Sequence, residues 1–513
     1  MAKSMSVLPP EILQAVIACI EDRPTLCNLA RCSHYFYQVT VPFLYEHVDL
    51  HDHEGGNGEH SFKYLRPLTS LLLQRADLAY LVRHLTMREE FSDGGDSEDK
   101  VKEGISIDTV EVEDVFKLAI EGASHTEEEE KEWLTHLSWT DHADALVALL
   151  LPALIQLEKL DLQFLWIAKY FERMIQRVGL REKPFDKQRA FLSLQDFMHT
   201  WFDEKYGMTL EYVAMFLRFP AINRIFGHRI GSDREELNET LALLDAGSST
   251  VTHLELKDCK LNTKDIIHLL NVPRSLKTFI YELGGGHLSY SGFNFNAIHK
   301  ALAHQAHCLE NLWLDYEHRY GIGFDNHLDD TTPLPSLASF KNLDFVKIAT
   351  VFLFGDNDRR SENPAEELDP SNERYWNSTT RRRLTRVFPY SLERLHILHY
   401  EDHIQHTAKA LADLLENKAQ NIPKLKELVI EGAVNQMMNL WDEMADLTKL
   451  AESEDISLIV VHDVCKARGY DEFVERGWGL DGEIAWAEGV NSLNEYPVNE
   501  IYRCTTEGWT RLQ

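Results

Sequence analysis

One short pattern returns through most of the chain: an apolar residue, two variable positions, an apolar residue, one variable position and another apolar residue. It occurs at Val82/Leu85/Met87, Leu157/Leu160/Leu162, Val251/Leu254/Leu256, Leu276/Phe279/Tyr281, Leu309/Leu312/Leu314, Leu343/Val346/Ile348, Leu392/Leu395/Ile397 and Leu425/Leu428/Ile430. Ile456/Ile459/Val461 is a weaker copy, and Tyr45/Val48/Leu50 opens the series. The last two apolar positions of each copy alternate at period two, the mark of a short strand with one buried face. Helical patterns lie between copies, as at Thr263 to Leu270, Ala297 to His307 and His403 to Asn417. Strand plus helix recurring every few tens of residues predicts an α/β solenoid, in which each unit buries its apolar face against its neighbours. A doubly wound sheet is the alternative, but its strands read as continuous apolar runs rather than alternation.

The copy at Val251 continues as Val-Thr-His-Leu-Glu-Leu-Lys-Asp-Cys-Lys-Leu, with Cys259 in the turn and Leu261 closing it. That is the leucine-rich-repeat pattern L-x-x-L-x-L-x-x-N/C-x-L in full. The other copies lack the Asn or Cys, so the repeats are degenerate. The expected architecture is an irregular leucine-rich-repeat solenoid, or horseshoe, over residues 51–461, with a C-terminal cap at 462–513. Three segments interrupt it. Residues 89–132 hold 17 Asp and Glu against 4 Lys, and a like-charge block of this kind is expected as a solvated loop, with a short helix near Val110 to Ile120. Residues 163–250 are aromatic-rich and expected as inserted helices, with a degenerate strand near Ile222 to Gly227. Residues 355–383 read as a surface excursion.

Residues 1–50 have a different texture. Pro9 and Pro10 stand where a helix starts, and Glu11 puts a carboxylate at its positive end. Ile12, Leu13, Val16, Ile17 and Ile20 then form a wide apolar stripe, broken by Asp22-Arg23-Pro24. Leu26, Leu29 and Ala30 make a second helix, and Ser33 caps a third that carries Tyr35, Phe36, Val39 and Phe43.

Leu8-Pro9-Pro10-Glu11-Ile12-Leu13, Ile17, Ile20, Leu26 through Tyr37 and Val41-Pro42-Phe43-Leu44-Tyr45 together resemble an F-box. The resemblance is to the F-box of filamentous-fungal proteins that carry degenerate leucine-rich repeats; Phe36 stands at the usual Trp position. What the resemblance implies is a substrate-recognition subunit of an SCF-type ubiquitin ligase. Its F-box would dock a Skp-family adaptor, and through it a cullin, while the repeats hold a protein substrate. Carried over by position, the implied adaptor-facing residues are Leu8, Pro9, Ile12, Leu13, Ile17, Ile20, Leu26 and Leu29. The alternative is an F-box and repeat scaffold acting outside a cullin complex.

Net charge narrows the partners. With 52 Lys and Arg against 83 Asp and Glu, the chain carries a formal charge of −31. That disfavours nucleic acid and anionic membrane surfaces, both of which need a basic footprint. No signal-like apolar segment opens the chain, and the longest apolar run, Ala145 to Ile155, is interrupted by Pro152. Seven scattered cysteines with no C-x-x-C pair fit a reducing, cytoplasmic or nuclear compartment.

In a leucine-rich repeat the residues between the apolar strand positions face the concave side. Stacking the copies gives a middle column of Glu255, Ile280, Trp313, Lys347, His396 and Val429, flanked by Phe345 and Arg394 in the preceding column. Glu255, Trp313, Phe345, Lys347, Arg394 and His396 are the candidate substrate-binding residues, because aromatics and Arg dominate binding hot spots. Enzyme chemistry is not expected. His396, His399, His403 and His406 lack a completing ligand set, and Gly284-Gly285-Gly286 lacks the Lys-Ser/Thr of a phosphate loop. No cofactor or metal is implied.

Overall fold

The computed structural model describes residues 9–20, 22–50, 62–88, 110–138, 143–163, 168–187, 189–200, 208–232, 236–284, 293–316, 328–330, 333–354, 381–400, 404–432, 437–462, 500–505 and 508–511. Leu8, residues 89–109, most of the 355–383 excursion, and Trp478, Trp486 and Tyr496 of the expected cap lie outside them. The chain divides into two compact units, residues 1–202 with 215–225, and residues 203–214 with 226–513.

In the first unit three helices open the chain. α1 (Pro10–Ala18) begins on a proline whose missing N–H is not needed there, with Glu11 in its first turn. α2 (Arg23–Cys32) is capped by Asp22, which accepts the Thr25 N–H at 2.8 Å. α3 (His34–Glu46) is capped by Ser33, which accepts the Phe36 N–H at 3.2 Å. α3 runs on past Pro42 and passes directly into strand β1 (His47–Asp49). Leu13, Ile17, Leu26 and Val39 form the core of this module, with Ile20, Leu29, Tyr35, Phe36, Phe43 and Leu44 packed around them.

β1 is followed by β2 (His84–Arg88), β3 (Lys159–Gln163) and β4 (Asp196–Thr200), each parallel to the one before. Val48, Leu85, Leu160 and Phe197 stand in register and all four are buried. β4 lies inside the stretch expected to be helical. Leu194, Phe197 and His199 keep the spacing of the repeat, but a histidine fills the third apolar position, which hid the copy from a search for hydrophobic triplets. The degenerate strand expected near Ile222 is present as Arg224–His228 and spans the boundary between the units.

The longer connecting helices of this unit are α4 (Phe62–Gln74), α5 (Asp114–Ala123), α6 (Glu127–Leu137), α7 (Ala143–Ala153) and α8 (Lys169–Leu180). The run Glu127 to Glu130 is not the solvated loop expected of it. It is the first turn of α6, where carboxylates favour the helix dipole. Thr126 accepts the Glu129 N–H at 3.2 Å and Glu129 reaches back to the His125 N–H at 2.9 Å, a close relative of the capping box written in the sequence as Thr-x-x-Glu. Glu129 also pairs with Arg177 at 2.8 Å and with Arg173 at 3.1 Å. Burial alone pushes its carboxyl up; the Arg177 bonds, the His125 N–H and the Arg173 charge outweigh it and hold the group at about 2. α7 is buried on every side from Ala143 to Leu151, as a helix apolar all round apart from Asp144 must be.

In the second unit β5 (His253–Cys259), β6 (Thr278–Leu283), β7 (Asn311–Tyr316), β8 (Phe345–Ala349), β9 (Arg394–Leu398), β10 (Glu427–Gly432) and β11 (Ser457–His462) run parallel, each bonded to the next. Leu254, Phe279, Leu312, Val346, Leu395, Leu428 and Leu458 stand in one register row, each at most 1 % exposed. α9 (Thr263–Asn271), α10 (Phe295–Leu302) and α11 (Ile404–Glu416) connect strands much as the sequence periodicity predicts, and α12 (Met437–Ser453) precedes β11. The parallel series ends in a reversal: β12 (Glu500–Thr505) pairs antiparallel with β11, and β13 (Gly508–Arg511) with β12.

The full repeat copy shows why its turn takes a cysteine. Cys259 Sγ accepts the Ile230 N–H at 3.3 Å and donates to the Lys257 carbonyl at 3.1 Å. The Tyr281 hydroxyl donates to the Cys259 carbonyl at 3.2 Å and accepts the Leu261 N–H at 3.1 Å. Gly284 donates its N–H to the same carbonyl at 2.9 Å. A Cβ at Gly284 would stand 2.1 Å from Asp258 Oδ1 and 2.6 Å from its carbonyl oxygen, so the strand end requires glycine there.

Candidate functional site

Two surfaces bear on function, one in each unit, and each is considered by itself. On α1 a spacing of three and four residues divides the helix lengthwise. Leu13 and Ile17 face the module's core, while Ile12 and Val16 are about half exposed, at 51 % and 48 %. Pro9 is also exposed, one turn ahead. Of the residues implied as adaptor-facing, Leu13, Ile17 and Leu26 are sealed inside the module; Ile20 and Leu29 are half-buried against it. The physical role of those five is to hold the three helices together. The large apolar side chains that α1 exposes are Ile12 and Val16, with Pro9 exposed just ahead of its first turn, and Val16 joins the set because it lies one turn beyond Ile12.

The strand face of the second unit has the register its sequence copies imply. Glu255, Ile280, Trp313, Lys347, His396 and Val429 are partners from strand to strand, and Phe345 is opposite Arg394 in the row before. Exposure differs from the expectation of an open polar face. Glu255, Trp313, Phe345, Lys347 and His396 are all buried, and Arg394 alone of the six candidates is exposed.

The charged side chains among them are paired with one another, while Trp313 Nε1 finds no hydrogen-bond partner among the described residues. Glu255 sits between His253 Nε2 at 3.3 Å and Lys257 Nζ at 3.2 Å. Glu431 sits between His396 Nε2 at 2.8 Å and Lys347 Nζ at 3.6 Å. The Lys347 and Lys257 ammonium groups lie 4.0 and 5.1 Å from the centroid of Trp313, and the Arg394 guanidinium lies 4.5 Å from that of Phe345. His399 Nε2 meets Asp315 Oδ1 at 2.7 Å. A buried charge is tolerable only when paired, and here each cation has both a carboxylate or a ring and a fixed strand to stand on. Lys257, Asp315 and Glu431 stand in the column that follows the middle one on the expected concave face, although they were not singled out as binding residues; His399 lies outside all three columns.

Among the described residues, no three His, Cys, Asp or Glu side chains are grouped to hold a metal ion. No helix among them is long and apolar enough to cross a membrane.

The model of a family described as a leucine-rich repeat domain matches residues 59–449, well over half of the chain. The match begins beyond the N-terminal helical module and ends within α12. No curated protein matches the chain.

Proposed function

The chain belongs to the leucine-rich repeat domain family, and from that premise we propose that it is the substrate-recognition subunit of an SCF-type ubiquitin ligase. A leucine-rich repeat domain points to protein–protein interaction. The finer reading rests on the module at residues 9–50, outside the matched region. The reading is supported by three short helices in the segment whose sequence resembles an F-box. The observation that carries the reading is the outward stripe of Pro9, Ile12 and Val16 on a helix whose opposite side already has a complete core. A free-standing capping module has no need of it.

On this reading α1 docks a Skp-family adaptor, which links the chain to a cullin. The repeat domain holds a protein substrate, with Arg394 over Phe345 as its outermost anchor. The chain performs no bond chemistry; it supplies proximity, converting a bimolecular transfer into one between components already held together.

Co-purification of the full-length chain with the adaptor tests this. Ile12→Asp with Val16→Asp alters only exposed positions and should cut adaptor recovery at least tenfold while leaving the helical content unchanged. Equal recovery by wild type and double variant would sink the proposal. Cullin absent from a precipitate that retains the adaptor would point instead to a scaffold acting outside a cullin complex.

A further inference from the structure

His47 opens β1 and His84 opens β2, and the two stand directly in register on adjacent parallel strands. Val48 and Leu85, one position on, are buried, so strand alternation turns both histidines to the opposite face. Their rings meet there edge to face, with centroids 5.8 Å apart and planes at 69°. His47 is exposed and His84 half-buried, so solvent reaches the pair.

The backbone beneath the two rings is fixed at both ends. Arg83 donates its N–H to the Glu46 carbonyl at 2.9 Å just before the pair, and Leu50 donates its own to the Thr86 carbonyl at 2.9 Å just after it. The His47 ring is oriented as well. Its Nε2 shares a hydrogen bond of 3.2 Å with the Thr86 hydroxyl, the kind of outer contact that aims a ligating imidazole. The spacing also suits a shared ion. A first-row cation stands about 2.0–2.1 Å from an imidazole nitrogen and roughly 3.2 Å from the ring centre, which puts two rings on one ion roughly 5 to 6 Å apart. Charge points the same way. Glu46 and Asp49 flank His47, Arg83 is paired with Glu158, and Lys159, in register with His84 on β3, is a cation set against the two carboxylates.

We propose that His47 and His84 form a two-imidazole site for a first-row divalent cation of the class that imidazole suits, Zn2+, Ni2+ or Cu2+. Each ring contributes one nitrogen lone pair, and water fills the remaining positions, so the ion is held at the surface with open coordination. Above about pH 6.5 an ordinary imidazole is mainly neutral, as a ligand must be.

The test uses Ni2+ with the intact, full-length chain, without an affinity tag, at about pH 7.5, where ordinary imidazoles are neutral. Diethylpyrocarbonate modifies histidine ring nitrogens, and site-resolved mass spectrometry reads each histidine separately against rising Ni2+. His47 and His84 should be protected along one curve with a single half-protection concentration, and EDTA should reverse both. Chelation by two rings makes each depend on the other. His84→Gln should therefore move protection of His47 to at least tenfold higher Ni2+, and His47→Gln should do the same to His84. Rings that merely touch would be modified at a rate indifferent to Ni2+. Absence of protection, two different half-protection concentrations in the wild-type chain, or protection of His47 unaltered by His84→Gln would overturn the proposal. Coincidence of the two curves is read in the wild-type chain, so the decision stands even if a variant folds poorly.

Discussion

Glu255 is a residue whose value depends wholly on its neighbours. It is sealed from water between His253 and Lys257, and its burial relies on such pairing. Glu255→Ala would leave Lys257 buried beside the Trp313 ring without its carboxylate, at a cost on the order of 3 to 5 kcal/mol. Chemical denaturation should show this as a clear drop in midpoint, whereas Arg394→Ala, at the exposed edge of the same face, should cost about 1 kcal/mol or less. Gly284→Ala belongs at the same scale. Its methyl group must displace the Asp258 backbone, which already holds a positive φ of 49°, and the expected loss is about 1 to 3 kcal/mol. Sequence reasoning found Glu255 through its column and treated Gly284 only as part of a glycine run. The column follows from strand periodicity, while the close approach of two turns far apart in sequence cannot be read from either one.

Elements show where sequence signals compete. α8 has no side-chain cap of its own at Ala168. Asp144, on α7, accepts the N–H groups of Tyr170 and Phe171 at 2.7 and 2.8 Å, satisfying two of the orphan donors at a helix start. Burial pushes this carboxyl up to about 7 in spite of those two bonds, from 3.8. The folded state therefore keeps a proton that the unfolded chain has already released. The stability this contributes is complete below about pH 4 and drains away as pH rises towards 7, by on the order of 4 kcal/mol. Glu129 on α6 has the opposite sign: its contribution is present above about 4.5 and is lost as pH falls through about 2. Unfolding in urea at pH 5, 6 and 7.5 should therefore show wild type losing ground against Asp144→Asn as pH rises. Parallel curves for the two would mean that Asp144 does not titrate in this window. Sequence composition made the acidic run around Glu129 a loop. The Thr126-x-x-Glu129 cap and the arginines of α8, more than forty residues away, made it a helix.

For the whole molecule, the proposed adaptor stripe and the strand face lie in different compact units. Their variants should accordingly act independently. Ile12→Asp with Val16→Asp should lose the adaptor and keep proteins held by the repeats, and Arg394→Ala with Trp313→Ala should do the reverse. Both sets of partners can be read from one affinity purification by quantitative mass spectrometry. Loss of adaptor from the strand-face variant would contradict the division of labour. The charge of −31 belongs at this scale as well. It bears on association with nucleic acid and membranes, and it says little about the strand face, whose charges are neutralised pair by pair.

The sequence by itself determined most of the repeats, the three N-terminal helices and the register of the strand face from β5 to β10, because all of these depend on short-range periodicity: alternation at two and helical spacing near 3.6. At β11 it is one residue out, since Leu458 and not Ile459 pairs with Leu428. It did not reveal β4, where His199 stands for an apolar residue, nor which apolar side chains of α1 turn outward. Only the tertiary structure decided that the candidate binding face is closed by its own ion pairs and that Glu129 belongs to a helix. Burial and charge pairing are set by residues brought together from tens of positions apart, and no local pattern encodes who those neighbours will be.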